Sequence, residues 1–265
     1  MSDPRSEDLR ALRDLPLSLG ELTTVECARV LAQSNPVIVL PLGSTEPHGP
    51  HLPLDTDALL SIEHALRSVR ALRARGTAAV VAPAVPYGVT RYAAGFAGAV
   101  TLSPDVLRGL VSELCVAYRS AGFAIVCVVN HHLEPENVQA ITAAVRAANE
   151  STGGVVFANQ LSARWGRTLS AEFKRGNCHA GSYESSLVLA ARPGGVREAA
   201  MRELPAIATS LSDRIRAGDT TFAQMGLDRA YTGAPAEASP GEGEALYALL
   251  VDMVLAEVGE TLGTP

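Results

Sequence analysis

The stretch Ala124-Ile125-Val126-Cys127-Val128-Val129, followed at once by Asn130-His131-His132-Leu133-Glu134, sets the fold class. Six apolar residues, four of them β-branched, have the length and composition of a strand buried on both faces. A helical pattern over residues 135–149 and a second apolar run over 155–158 come next. Upstream, Val37-Ile38-Val39-Leu40-Pro41-Leu42 repeats the buried-strand signature. A helix is expected over 57–75 with Thr56 as N-cap and Gly76 as its stop, then a strand over 79–85. Ser103-Pro104 opens another helix that Gly122 closes. The last helix, over 243–259, follows a Gly- and Pro-rich loop at 232–240, and residues 160–178 and 212–240 read irregularly, as lids or oligomer contacts. Strand and helix in alternation imply an α/β fold with a mostly parallel sheet covered by helices.

Polar residues at the ends of these strands carry the chemistry. Five of the six histidines fall in three short acid-bearing segments: Glu46-Pro47-His48-Gly49-Pro50-His51 with Asp55 and Asp57 beyond, Asn130 to Glu134, and His179-Ala180-Gly181-Ser182-Tyr183-Glu184. Imidazole with carboxylate is a ligand set for Zn²⁺, Mn²⁺ or a similar ion, and ligand sites in open α/β sheets lie at the carboxyl ends of strands. In Glu46-x-His48 and His132-x-Glu134 the i, i+2 spacing turns both side chains to one side if the segment is extended. Glu46, His48, Asp57, His132 and Glu134 are too many ligands for one catalytic zinc. They suit two divalent ions with a bridging carboxylate, for which Asp57 is the candidate, and with a shared, hydroxide-like water as nucleophile. His179 is placed to pass a proton to a departing nitrogen, and Glu184 either orients it, contacts substrate or caps a helix.

Other residues have a structural reading beside any functional one. His51 contacts substrate, supports a ligand or fixes its loop. His131 lines the pocket or is satisfied by backbone. Arg91 and Tyr92 bind a carboxylate or ring of the substrate, or simply belong to a loop. Asp55 faces solvent or supports a ligand, His64 is an ordinary surface or half-buried helix residue, and Cys178 sits beside the substrate or supports a ligand as an inert thiol. Glycines 43 and 49 relax the loop.

Composition narrows the class further. The 265 residues are 47% hydrophobic and 19% charged with a net charge of −6, so no basic stripe suggests nucleic acid or an anionic membrane as partner. The charged opening segment and the absence of an apolar run of about 20 residues point to a cytoplasmic protein. The four cysteines are scattered, as in a reduced protein without a disulfide framework.

The segment Leu42-Gly43-Ser44-Thr45-Glu46-Pro47-His48-Gly49-Pro50-His51-Leu52-Pro53-Leu54-Asp55-Thr56-Asp57 resembles the signature of the creatininase (creatinine amidohydrolase) family. Asn130-His131-His132-Leu133-Glu134, His179-Ala180-Gly181-Ser182-Tyr183-Glu184-Ser185-Ser186 and Gly233-Ala234-Pro235 are similar to further segments of that family. The resemblance runs from about residue 20 to 260. It implies one three-layer α/β/α domain over residues 1–265, with 1–20 as an N-terminal extension, and a homo-oligomer, often a hexamer. It implies one ion on Glu46, Asp57 and His132, and another on His48, Asp57 and Glu134, the ions being zinc or manganese; affinity order alone leaves iron open as well. The implied reaction is hydrolysis of a non-peptide or cyclic amide C–N bond in a small molecule. Alternatives are a formamide deformylase or a precursor-peptide peptidase of the same family, or a non-catalytic metal-binding scaffold. Departures point away from creatinine itself: His131 replaces a glycine, Cys178 an acid, and Trp165 is the sole tryptophan where creatininase boxes its substrate with several. Arg91, Arg164, Arg167, Lys174 and Arg175 are the cations that a phosphate-bearing substrate would need.

Overall fold

The structure, a computed structural model, describes residues 14–263. Four strands, β1 (Val37–Leu42), β2 (Ala79–Val81), β3 (Ile125–Asn130) and β4 (Val155–Phe157), form one parallel sheet in the order β2-β1-β3-β4. Alternate strand residues feed two separate cores. Val37, Val39, Ile125, Cys127 and Val129 face one side, while Ile38, Leu40, Leu42, Val126 and Val128 face the other.

Helices α1 (Thr24–Leu31), α2 (Thr56–Ala74), α3 (Pro104–Ser120) and α4 (Pro135–Thr152) are followed by α5 (Ala171–Arg175) and α6 (Ser182–Ala191). The chain then runs through α7 (Glu198–Arg202), α8 (Leu211–Arg216) and α9 (Pro240–Leu262). Helices α2, α6 and α9 cover the first face, and α3 and α4 the second, which gives the three layers.

Several boundaries shift for local reasons. Strand β2 stops at Val81, and beyond Pro83 the chain rejoins the sheet only as an isolated bridge of Val85 to Leu42. Thr56 is the first helical residue of α2 rather than its cap, since its hydroxyl donates to Pro53 O at 2.6 Å. Helix α9 begins at Pro240, three residues earlier than the apolar pattern suggests, because Ser239 accepts from the Glu242 N–H and Pro240 takes the N1 place. Helix α1 starts with a reciprocal Thr23–Glu26 capping box. Leu15 and Leu17 lie against the sheet edge: Leu17 O accepts from Val81 N–H, and Arg73 donates to Leu15 O. Residues 1–13 of the expected extension fall outside the described residues.

This topology places the site. From β1 the chain crosses to β2 on one side and then to β3 on the other, so the direction of winding reverses between β1 and β3. A crevice opens at the carboxyl ends of two such strands. Leu42 pairs with Asn130 at the top of both strands, so the segments that begin at Gly43 and His131 leave the sheet at the same level.

Candidate metal centre

Glu46 and His48 follow β1, Asp57 lies in the first turn of α2, and His132 follows β3. His179 and Glu184 stand at the start of α6. All six are at least nine-tenths buried. Ligand atoms of Glu46, Asp57 and His132 lie within 4.8 Å of one another, as do those of His48, Asp57 and Glu184. Glu46, His48 and His179 form a third such group, and Asp57 belongs to the first two. Its Oδ1 is 3.2 Å from His48 Nε2 and its Oδ2 is 3.2 Å from His132 Nδ1, so the carboxylate is split between two sets of donors.

Backbone carbonyls orient the imidazoles. His48 Nδ1 lies 3.1 Å from Glu46 O, His132 Nε2 lies 2.7 Å from Val89 O, and His179 Nε2 lies 3.1 Å from Pro47 O. In each ring the outer nitrogen donates to a carbonyl, which turns the inner nitrogen towards the cluster. Ser44 Oγ donates to Asp57 Oδ2 at 2.7 Å. Asn137 ties α4 to this frame by donating to His132 O and accepting from Val89 N–H.

The donor set fits two divalent cations. Glu46 Oε2 and His48 Nε2 are buried without a hydrogen-bond partner. Protons must otherwise supply the positive charge that three adjacent carboxylates require. Burial works against a charged His48, but Asp57, Glu184 and Glu46 outweigh it and raise its pKa to about 10. His132 is driven up in the same way by Glu46 and Asp57. Cation loading must therefore expel protons from imidazoles that are charged at neutral pH. Affinity is expected to climb as pH rises from 6 towards 9, and calorimetry in buffers of different ionisation enthalpy should register proton release.

Glu134 stands apart from all three groups. Burial raises its pKa to about 7. Its carboxylate accepts from Arg91 N–H at 2.8 Å and Tyr92 N–H at 3.2 Å, and lies 4.0 Å from His132 Nε2. Glu184, which the resemblance left outside the ligands, instead reaches to 3.6 Å from His48 Nε2 and accepts from Ala180 N–H. Burial lifts the pKa of Glu184 to about 8. His179 is driven by burial, then by charged His48, down to about 4, away from the working range expected of it. Ala180, beside it, holds φ at +51°, a left-handed conformation that costs a non-glycine residue energy and here fixes the turn into α6.

The cluster opens into a cavity of about 330 Å³ whose wall includes Tyr92, Leu161, Phe173, Leu211, Ile215 and Phe222. Most of these residues come from the two irregular segments, whose wall role periodicity does not reveal. Phe222 stacks on His179 with ring centroids 4.6 Å apart. His131 also lines the cavity, with Nε2 3.3 Å from Nδ1 of His64. His64 is fully buried rather than a surface residue, and its other nitrogen bonds to Leu250 O.

The remaining residues divide as follows. His51 bonds to Ser185 Oγ at 2.9 Å and fixes its loop to α6. Arg91 serves through its backbone, its guanidinium reaching Glu136 outside the cavity. Asp55 pairs with Arg192 at the surface. Cys178 lines the wall with its thiol pushed well up by burial, hence unreactive. Trp165 lies elsewhere, donating to Glu257 beneath Arg164.

Two glycines meet steric demands. Gly49 adopts φ +65°, and a Cβ on Gly43 would lie 2.5 Å from Ala58 N and 2.7 Å from the Asp57 carbonyl carbon. Gly43→Ala is expected to push the start of α2, and Asp57 with it, off the centre. The readout is a fall in bound metal per chain larger than the accompanying drop in melting temperature explains.

A parallel α/β sheet with a buried histidine–carboxylate cluster at its switch point defines a class of hydrolase scaffold. The chain belongs to the creatininase family: the family model for creatinine amidohydrolase matches residues 20–258. Mycofactocin precursor peptide peptidase of Mycobacterium tuberculosis is 30% identical over 257 residues, covering 93% of this chain and 94% of that protein. The Mycobacterium ulcerans protein of the same name is 32% identical over 241 residues, 88% of each chain. A manganese form of creatininase superposes with a TM-score of 0.71 at 22% identity, covering 93% of this chain and 98% of the other. The likeness at that level is one of fold.

Proposed function

We propose that this chain is a metal-dependent amidohydrolase that cleaves the amide of a peptidic substrate. The observation that carries the reading is the pair of buried donor triads sharing Asp57 at the floor of an apolar pocket. Glu46, Asp57 and His132 would hold one cation, and His48, Asp57 and Glu184 the other. Two such ions, when bound, supply Lewis-acid polarisation of a carbonyl and lower the pKa of water. Glu134 is poised to take a proton from water and return it to the leaving nitrogen, since its pKa lies near the operating range and its carboxylate is held at the pocket wall. Tyr92, Phe173 and Phe222 exclude water and receive an apolar side chain. His179, with Nε2 committed to Pro47 O, offers Nδ1 as an acceptor towards the substrate.

A peptidic substrate is favoured over a small cyclic amide for two reasons. The relatives at 30–32% identity are peptidases of a precursor peptide by name. The pocket also lacks tryptophan to sandwich a flat ring, its aromatic residues being Tyr92, Phe173 and Phe222. The test is metal analysis followed by turnover of blocked peptides, cyclic amides and formamides by the loaded protein. Two ions per chain with cleavage confined to peptides bearing apolar residues is expected. Turnover of creatinine or other cyclic amides with peptides untouched would remove the peptide reading.

A further inference from the structure

A second cavity, of about 580 Å³, adjoins the apolar pocket and shares Ser212 and Arg216 with it. Lys174 and Arg175 at the end of α5 line it, with Asn177 just beyond the αL turn at Gly176. Arg216 is paired with Asp213 on α8, whereas neither Lys174 nor Arg175 has an acidic partner among the described residues. Three cations against one carboxylate leave an excess of two positive charges facing the cavity. Basic residues in the last turn of a helix are favoured by its dipole in any case. That account does not cover Asn177, which is only 7% exposed and whose Oδ1 has no hydrogen-bond partner. Leaving a buried acceptor unmade costs about 1–3 kcal/mol, so the group is expected to meet a donor when the site is in use.

We infer that this cavity is a subsite for a carboxylate of the substrate peptide, with the neighbouring peptide N–H donating to Asn177 and the carboxylate held by Arg175, Lys174 and Arg216. The assignment rests on the peptidic reading of the main site. A carboxylate beside an amide N–H supplies both the anion and the donor, whereas a dianionic phosphate ester supplies acceptors alone and leaves Asn177 Oδ1 unpaired. Ser212 and Arg216 line both cavities, so the subsite lies beside the apolar pocket.

The experiment uses metal-loaded protein and acetylated peptides prepared in pairs, with a free C-terminal carboxylate or as the carboxamide. The carboxylate form should be preferred about tenfold in kcat/KM, through KM, the size of one charge-assisted hydrogen bond. In Lys174→Gln/Arg175→Gln the ratio between the two forms should fall to near unity, and Asn177→Asp should invert it by repulsion. Equal KM for both forms in the wild type, or a preference that survives the double substitution, would overturn the subsite while leaving peptide hydrolysis intact. Should no peptide be cleaved, the proposed function fails, and calorimetric binding of acetyl-phenylalanine against its amide decides the subsite separately. A carboxylate preference lost in the double variant supports it. A preference retained, or inorganic phosphate displacing the carboxylate as effectively as a peptide acid, refutes it.

Discussion

Asp57→Ala is expected to empty both cation positions at once and to lower amide hydrolysis by about a thousandfold or more. The carboxylate is divided between His48 on one side and His132 on the other at 3.2 Å each, so its removal takes a ligand from both triads. Several kcal/mol of transition-state stabilisation by bound ions would go with it, and each 1.36 kcal/mol is tenfold in rate. Asp57→Asn is the informative control. It keeps the volume and a partner for Ser44 Oγ but removes the charge, so it should also lose metal while remaining folded. Plasma emission analysis of metal content, read beside circular dichroism, checks both variants. Two ions retained in either one would refute the bridge.

Glu134→Gln and Glu184→Gln should part company. Glu184 belongs to a donor triad, so its amide should drop the metal content from about two towards one per chain. Glu134 belongs to none, so Glu134→Gln should keep both ions yet lose about 10²–10⁴-fold in kcat, the range for a positioned proton carrier. The sign of the pH dependence follows from burial. Glu134 is raised from 4.5 to about 7, so it is protonated and idle below that value and ionised above it. Bound cations favour the ionised form, which places the acid limb of kcat at or somewhat below 7. That limb should vanish in Glu134→Gln. An unchanged pH profile, or metal loss in the Glu134 variant, would return Glu134 to the ligands where the sequence reading had put it.

The two strands that carry the centre were legible because their apolar runs have no competing interpretation. Ile125 to Val129 and Val37 to Leu42 lie between two helical layers, so composition alone reports burial on both faces. The clustering of Glu46, His48, Asp57 and His132 was legible for a related reason: short segments leaving adjacent strand ends can hardly avoid meeting. The position of Glu134 outside these groups, and of Glu184 within one, was not. Glu134 has the i+2 spacing from His132, but the Arg91 and Tyr92 amides capture it, and those come from a loop 42 or more residues away in sequence. Glu184 is four residues from Ala180, whose left-handed backbone turns the segment inward. Neither fact has a local sequence signature. His64 was misplaced for a different reason. A lone imidazole on a helix gives no sign of whether a carbonyl such as Leu250 O awaits it, 186 residues further on. The start of α9 could have been read, since Ser239-Pro240 repeats the Ser103-Pro104 signal that opens α3.

The split origin of the pocket has a practical corollary. The groups that would hold cations sit on strand ends and on the first turns of α2 and α6, anchored in the layered core. Leu161, Phe173, Leu211, Ile215 and Phe222 arrive on later excursions of the chain that add no strand to the sheet. Under the proposed function, reactivity and most of the selectivity would be carried by separable portions of the polypeptide. Exchanging residues 160–176 and 209–227 between relatives should transplant substrate preference while the inorganic chemistry stays where it is, which makes this scaffold a natural recipient for loop grafting.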